Sequence, residues 1–375
     1  MTQSLALAIR SRLPDTAYAL APWDARVEAS FAAELADSGA PSSRDQADRL
    51  AAAALLRDPT AVAAVSVRGV IAALDKDEAE ARSYFSFSDR LSRRDLRTRL
   101  WLIEDAVGRG DLAAALSHYD VALRTSRQAP ELLFPVLSTA IADPRIQEYL
   151  SRTLSQRPNW LDSFVESVSY TGDPVDVAAF YGRLARAGVA IPPSVRAGLV
   201  DRLVSAGALD ASWTLYRRYN AAANKRFSRD PRFTTRLERP SGFDWVPVQQ
   251  DGAFASIQAE EDGGFVSFSA PAAVGGPVLS QRQLLPPGRY SLSGRSAEID
   301  QQLTARPYWL ITCADGRELG RVVMTNSPDS EARFNGRFVV PADCPMQTLA
   351  LITRASTQVG GTTGRILEAQ IRPAP

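Results

Sequence analysis

Two stretches of this chain repeat each other at a spacing of 34 residues, and that spacing limits the fold more than any other feature. Gly69, Ala72, Asp77, Ala81 and Phe85 recur as Ile103, Ala106, Asp111, Ala115 and Tyr119. The recurring set reads as two helices and a turn. An Asp precedes the second helix, small residues stand where the helices cross, and an aromatic fills the gap toward the next unit. Such a unit cannot bury its own apolar face and needs neighbours on both sides. The period extends upstream, where Ala47, Ala54 and Pro59 hold matching positions one step earlier. Downstream it loosens, with turn-like pairs at Ala142–Asp143, Gly172–Asp173 and Gly207–Ala208 in steps of about 30–35 residues. Pro158 with Trp160, and Pro22 with Trp23, read as further junctions. Roughly six helix pairs would cover residues 1–220.

Glycine marks where this pattern stops: nine of the 23 lie in residues 1–240 and fourteen in the last 135. Ahead of the break the chain is rich in Ala, Leu and Arg, all strong helix formers. Beyond it, short β-branched and aromatic runs alternate with turn signals at sandwich spacing. FVSFSA (265–270) alternates strictly, and GRYSLSGRSA (288–297) turns Tyr290 and Leu292 one way and Arg289, Ser291, Ser293 and Arg295 the other. YWLITC (308–313) and RVVM (321–324) form a hairpin around Asp315–Gly316. Segments 333–340, 348–353 and 364–373 bring the total to about eight strands. The expected order is therefore an antiparallel helix-pair repeat domain over 1–220, a basic linker over 221–241 and an antiparallel β-sandwich over 242–375.

Position by position, the 34-residue unit resembles the tetratricopeptide repeat. Gly110–Asp111 sits at its turn, Ala115 at the crossing, Tyr119 is the aromatic knob and Ala122 the second small position. The resemblance implies a helical solenoid that offers a concave surface to protein partners. Tetratricopeptide domains that hold chaperone tails use a Lys, Asn and Arg clamp; Ser66, Val70, Arg97 and Trp101 occupy those positions here, so that specialisation is not expected. The sandwich resembles, in architecture alone, the jelly-roll carbohydrate-binding modules. The combination is similar to proteins associated with bacterial exopolysaccharide assembly and export. It implies a non-enzymatic periplasmic scaffold, with proteins of that system and an anionic polysaccharide as partners. A cytoplasmic protein–protein adaptor and a polysaccharide-modifying enzyme are the alternatives.

The chemistry available is narrow. With 43 basic and 42 acidic residues, whole-chain charge favours neither nucleic acid nor a membrane surface. His118 is the single histidine and belongs to a repeat helix, so no triad is expected around it. No metal site and no cofactor are expected. The run Gly360–Gly361–Thr362–Thr363–Gly364–Arg365 lacks the Lys-Ser/Thr ending of a phosphate loop, and Glu260–Glu261–Asp262 reads as a solvated hairpin turn, with oxygen ligands for a calcium ion as the other reading. Cys313 and Cys344 both lie at strand ends of one small domain; a disulfide is the favoured reading, two buried thiols the other. A disulfide points to an oxidising compartment such as a periplasm. No apolar run approaches the ~20 residues of a membrane span. The opening LALAIRSRLPDTAYALAPWDA reads as the second helix of a repeat lacking its first. It would be either a natural cap or the remnant of a chain trimmed after an N-terminal anchor, the only expected route to a membrane.

Two groups of binding residues stand out. From Arg217 to Arg239 eight basic residues face two acids. The stretch is either a solvated linker or, through Arg226, Arg229, Arg232, Arg236 and Arg239, a contact for an anionic polymer, because guanidinium forks match carboxylates. In the sandwich, Trp309 falls on the inward face and Tyr308 points outward. Trp245 is a core anchor or, alternatively, a stacking platform for a sugar ring. Arg295, Asn335 and Arg337 complete the outward candidates.

Overall fold

The computed structural model describes residues 2–38 and 40–375. Among them are fourteen helices followed by ten strands in two antiparallel sheets. Contacts divide the chain into two compact units, Met1–Ala190 and Ile191–Pro375.

The first unit holds α1 (Thr2–Ile9), α2 (Pro14–Leu20), α3 (Ala25–Asp37), α4 (Pro41–Arg57), α5 (Val62–Leu74) and α6 (Glu78–Leu91). It continues through α7 (Leu96–Gly108), α8 (Leu112–Thr125), α9 (Ala129–Ala140), α10 (Pro144–Ser155), α11 (Leu161–Thr171) and α12 (Pro174–Arg186). Both ends of α5 and of α6 shift by 34 residues onto those of α7 and α8. Equivalent aspartates start the second helices: Asp77 accepts from the Glu80 N–H at 2.9 Å and Asp111 from the Ala114 N–H at 3.0 Å. Each satisfies a helix donor that would otherwise be orphaned. Ala81, Phe85 and Ala115 are fully or almost fully buried, and Tyr119 nearly so. The Phe85 ring stacks on Trp101 at 4.6 Å and fills the space over Gly69, where a Cβ would lie 2.9 Å from the ring. The opening segment is two short helices, not one. α1 ends at Ile9 and Pro14 begins α2; the residue before a proline is pushed out of helical geometry, and Leu13 stands at φ −137° between the two.

The second unit opens with a helix pair, α13 (Pro193–Ser205) and α14 (Leu209–Tyr219). Asp201 of α13 pairs with Arg282 at 2.9 Å and accepts from the Gly242 N–H at 2.9 Å. Trp213 and Tyr216 of α14 pack edge-on against Phe243. The composition break near 220 thus marks where helices give way to strands, while the contacts divide one helix pair earlier.

The strands are β1 (Val246–Pro247), β2 (Phe254–Gln258), β3 (Phe265–Ala270), β4 (Gly276–Gln283) and β5 (Gly288–Ala297). β6 (Tyr308–Cys313), β7 (Glu318–Val323), β8 (Ala332–Val340), β9 (Gln347–Thr353) and β10 (Thr362–Pro373) follow. One sheet runs β1-β4-β9-β6-β7 and the other β2-β3-β10-β5-β8. Between them lies a core that includes Trp245, Trp309, Phe334, Leu292 and Leu351. Gly294 on β5 sits tight against β10: a Cβ there would lie 1.9 Å from the Glu368 carbonyl oxygen. β4 is a strand that alternation alone does not reveal, because its inward residues include the buried amides Gln281 and Gln283.

The stretch 221–241, one reading of which is a solvated linker, is in part buried: Ser228, Arg229 and Phe233 are all largely inaccessible. β10 pairs with β3 only as far as Ile366. Beyond that, residues 228–231 run beside it. Ser228 N–H donates to Ile371 O, Ile371 N–H donates to Ser228 Oγ, and Ala369 N–H donates to Pro231 O. The backbone of β10 would otherwise carry unpaired groups, which is costly away from water.

Candidate functional site

Antiparallel register brings side chains from β10, β5 and β8 into rows on the solvent face of the second sheet. Directly opposed residues share a face, and the pairings define the rows Glu368–Arg295–Arg333, Gln370–Ser293–Asn335 and Arg372–Ser291–Arg337. Arg289 opposes Val339 in the next row. On β8 the residues 333, 335, 337 and 339 are exposed while Phe334, Phe338 and Val340 are buried, so the face is outward. The result is a band of amide and hydroxyl groups bordered on both sides by arginines. Arg295 is held by Glu331 at 2.8 Å and Glu368 at 3.3 Å, and the Glu331 carboxylate raises its guanidinium above its ordinary pKa. Arg289, Arg333, Arg337 and Arg372 have no carboxylate within 4.0 Å among the described residues.

The structure therefore unites three of the expected residues, Arg295, Asn335 and Arg337, and separates the other two from them. Tyr308 lies on the first sheet and points outward, but its ring is flanked by Arg321 at 4.5 Å and Arg354 at 4.6 Å. Those cation–π contacts occupy the surface a sugar would stack on. Trp245 is 4% exposed and packs on Phe233 and Trp309, with its Nε1–H donating to Asp230 O at 2.9 Å. It is a core anchor. Arg333, Arg372 and Gln370 were not among the expected residues. The alternation of β8 exposes Arg333, but only the position of β10 beside β5 reveals the other two.

Of the five basic-stretch candidates, Arg226, Arg232, Arg236 and Arg239 are exposed and Arg229 is 7% exposed. Arg229 Nε donates to Phe243 O at 2.6 Å and Nη2 donates to Arg282 O, while Nη1 has no hydrogen-bond partner. The Gln281 amide closes on its backbone, accepting from Arg229 N–H at 3.2 Å and donating to its carbonyl at 3.0 Å. Burial pulls the guanidinium pKa down to about 10, with Tyr216 and Asp244 opposing the shift. Arg229 lines a cavity of about 1000 Å³ together with Trp245, Phe227, Thr235, Arg236 and Asn220. Two of the carboxylates at its wall are engaged: Asp230 accepts from Thr234 and Thr235, and Asp244 from Ser241 and from the Tyr216 hydroxyl at 2.6 Å, while a third, Glu238, is exposed. Burial, followed by the Asp244 charge, pushes the Tyr216 hydroxyl far above the ordinary phenol range.

Cys313 and Cys344 are joined in a disulfide with Cα atoms 5.7 Å apart, as the favoured reading expects. His118 lies in the first unit, its Nδ1 3.3 Å from Nη1 of the buried Arg99. Arg99 is in turn tied to Asp89 and to Arg93 O. Burial, then the Arg99 charge, lowers the imidazole pKa from 6.5. Among the described residues no helix is long and apolar enough to cross a membrane.

No protein family and no curated protein matches the sequence. Among solved structures, the chain is similar to the CBM22-1 xylan-binding domain of Paenibacillus barcinonensis Xyn10C. That match has 12% identity, covers 38% of this chain and 90% of the other, and has a TM-score of 0.27. A CBM4 structure matches at 14% identity over 39% of this chain and 99% of its own, with a TM-score of 0.31. The carbohydrate-binding module CBM6cm-2 of Cellvibrio mixtus lichenase 5A, bound to cellotriose, matches at 10% identity. It covers 36% of this chain and 98% of its own, with a TM-score of 0.24.

Proposed function

We propose that this protein is a non-enzymatic adaptor whose sandwich face on β10, β5 and β8 binds an acidic polysaccharide. The observation that carries the reading is the register that sets Gln370–Ser293–Asn335 between arginine rows. Arginine forks pair with carboxylates in a bidentate way, and the amide and hydroxyl band supplies donors and acceptors for sugar hydroxyls. The helix pairs of the first unit, read as tetratricopeptide-like, engage protein partners of a polysaccharide assembly or export system. The disulfide supports an oxidising compartment, the periplasm in this reading. The single histidine and the paired cysteines support a role without bond-breaking chemistry.

The test is native affinity electrophoresis of the full chain through gels containing polygalacturonate or neutral dextran. Polygalacturonate is expected to retard the chain and dextran to leave it unretarded, with the retardation lost in the double variant Arg333→Glu/Arg337→Glu. Equal retardation of parent and variant would remove the sheet face from the account. Polymer shortening by purified protein, abolished by one carboxylate substitution, would remove the adaptor reading.

A further inference from the structure

The two borders of the sheet face differ in charge. At one, Glu331 and Glu368 accompany Arg295 and Arg333, so the charges balance. At the other, Arg337 and Arg372 stand on either side of Ser291, and Arg289 follows two residues along β5 on the same face. No Asp or Glu side chain lies within 4.0 Å of any of these three among the described residues. We infer that this triad is the anchoring subsite of the face and seats a single uronate unit, with its carboxylate between Arg289 and Arg337. The inference rests on the acidic-polysaccharide reading and says where on the face the acid is held and how many sugar units carry it.

Arg289 opposes Val339 and Arg337 opposes Ser291, which makes the two arginines diagonal neighbours. Such neighbours stand about 7–8 Å apart, within reach of each other for long side chains. Like charges gathered in this way repel, and an anion held between them removes the repulsion while its oxygens accept from both guanidinium forks. The same two arginines line a hollow of about 230 Å³, together with Val339, Ala374 and Pro375. That volume falls below the roughly 300–1000 Å³ of drug-sized sites and suits one sugar ring. No Asp or Glu lines it, and Val339 and Pro375 give it apolar surface for the C–H face of a ring. A uronate carries its acid on the ring itself, so ring and charge enter one small site together. The next units of the chain then lie along the strands over Gln370, Ser293 and Asn335, whose neutral donors and acceptors match sugar hydroxyls.

The experiment is a saturation-transfer NMR titration of the full chain with methyl galacturonide, its neutral methyl ester and galactose 6-phosphate. The galacturonide is expected to bind, the ester not to bind, and the phosphate to bind more weakly than the galacturonide. Arg289→Gln and Arg337→Gln should each weaken the galacturonide by about tenfold, as loss of a charge-assisted hydrogen bond does. Both side chains are exposed, so these variants should melt as the parent does. Arg333→Gln should weaken it far less, because Arg333 lies four residues along β8 from Arg337, about 13 Å away. Affinity unchanged in either Arg289→Gln or Arg337→Gln, or lowered as much by Arg333→Gln, overturns the subsite. A chain that polygalacturonate retards but that does not bind the galacturonide likewise loses the subsite and keeps the sheet face. Galacturonide bound at the triad by a chain that polygalacturonate does not retard keeps the subsite and sinks the polymer reading. Equal binding of the ester overturns the role of charge, and tighter binding of the phosphate overturns the carboxylate class.

Discussion

Removing the Phe85 ring should uncouple the α5–α6 pair from α7, and the contact with Gly69 makes the effect measurable as a coupling. Phe85 is fully buried and stacks on Trp101 of α7 at 4.6 Å. Phe85→Ala removes a complete aromatic core side chain and should cost about 3–5 kcal/mol. With a urea slope of about 2 kcal/mol per M, the midpoint falls by about 2 M. Gly69→Ala in the parent places a Cβ 2.9 Å from the ring, which Trp101 prevents from yielding. Overpacking of that kind costs about 1–3 kcal/mol, offset by about 1 kcal/mol of helix propensity. In the Phe85→Ala background the clash is gone and only the propensity gain remains, so Gly69→Ala should stabilise. The double-mutant cycle, followed by circular dichroism at increasing urea, should give a coupling of about 1–3 kcal/mol. An identical effect of Gly69→Ala in both backgrounds would refute the packing argument.

Two further outcomes follow from the same reasoning. Non-reducing peptide mass analysis should find residues 313 and 344 linked, and reduction should destabilise the second unit by about 3–4 kcal/mol, the loop-closure value for a separation of 31 residues; two freely alkylated thiols would contradict it. The lowered pKa of His118 means that the unfolded chain takes up a proton before the folded one does. The stability it contributes is full above the ordinary value of 6.5 and is lost as pH falls below it toward the folded-state value. His118→Gln should flatten that part of the first unit's stability–pH curve, and an unchanged slope would show that His118 is not the group responsible.

Much of the scaffold is legible in the residue order because local patterns carry it. The 34-residue spacing places the paired helix ends of α5–α6 and α7–α8, strict alternation gives the bounds of β3, and the runs read at 288–297 and 308–313 match β5 and β6. What stays hidden depends on partners distant in sequence. β4 breaks the alternation rule because Gln281 and Gln283 face inward, where the Gln281 amide meets the Arg229 backbone 52 residues away. Arg229 looks like its basic neighbours, and only the half of β10 left uncovered by β3 explains why residues 228–231 are drawn in. Outward alternation identifies Arg295, Asn335 and Arg337 singly, yet their rows need the strand order β10-β5-β8. Tyr308 faces outward as its position implies, and the side chains of Arg321 and Arg354 then take the surface of its ring.

Arginine footprinting tests the central claim most directly. The full chain is treated with phenylglyoxal, with and without saturating polygalacturonate, and adducts are located by peptide mass. The account predicts protection of Arg289, Arg333, Arg337 and Arg372, with Arg321 on the opposite sheet and Arg354 just past the end of β9 unprotected and the protection fading as salt screens the exposed charges. Protection of Arg321 and Arg354 with the four arginines of the β10-β5-β8 face left reactive would contradict it.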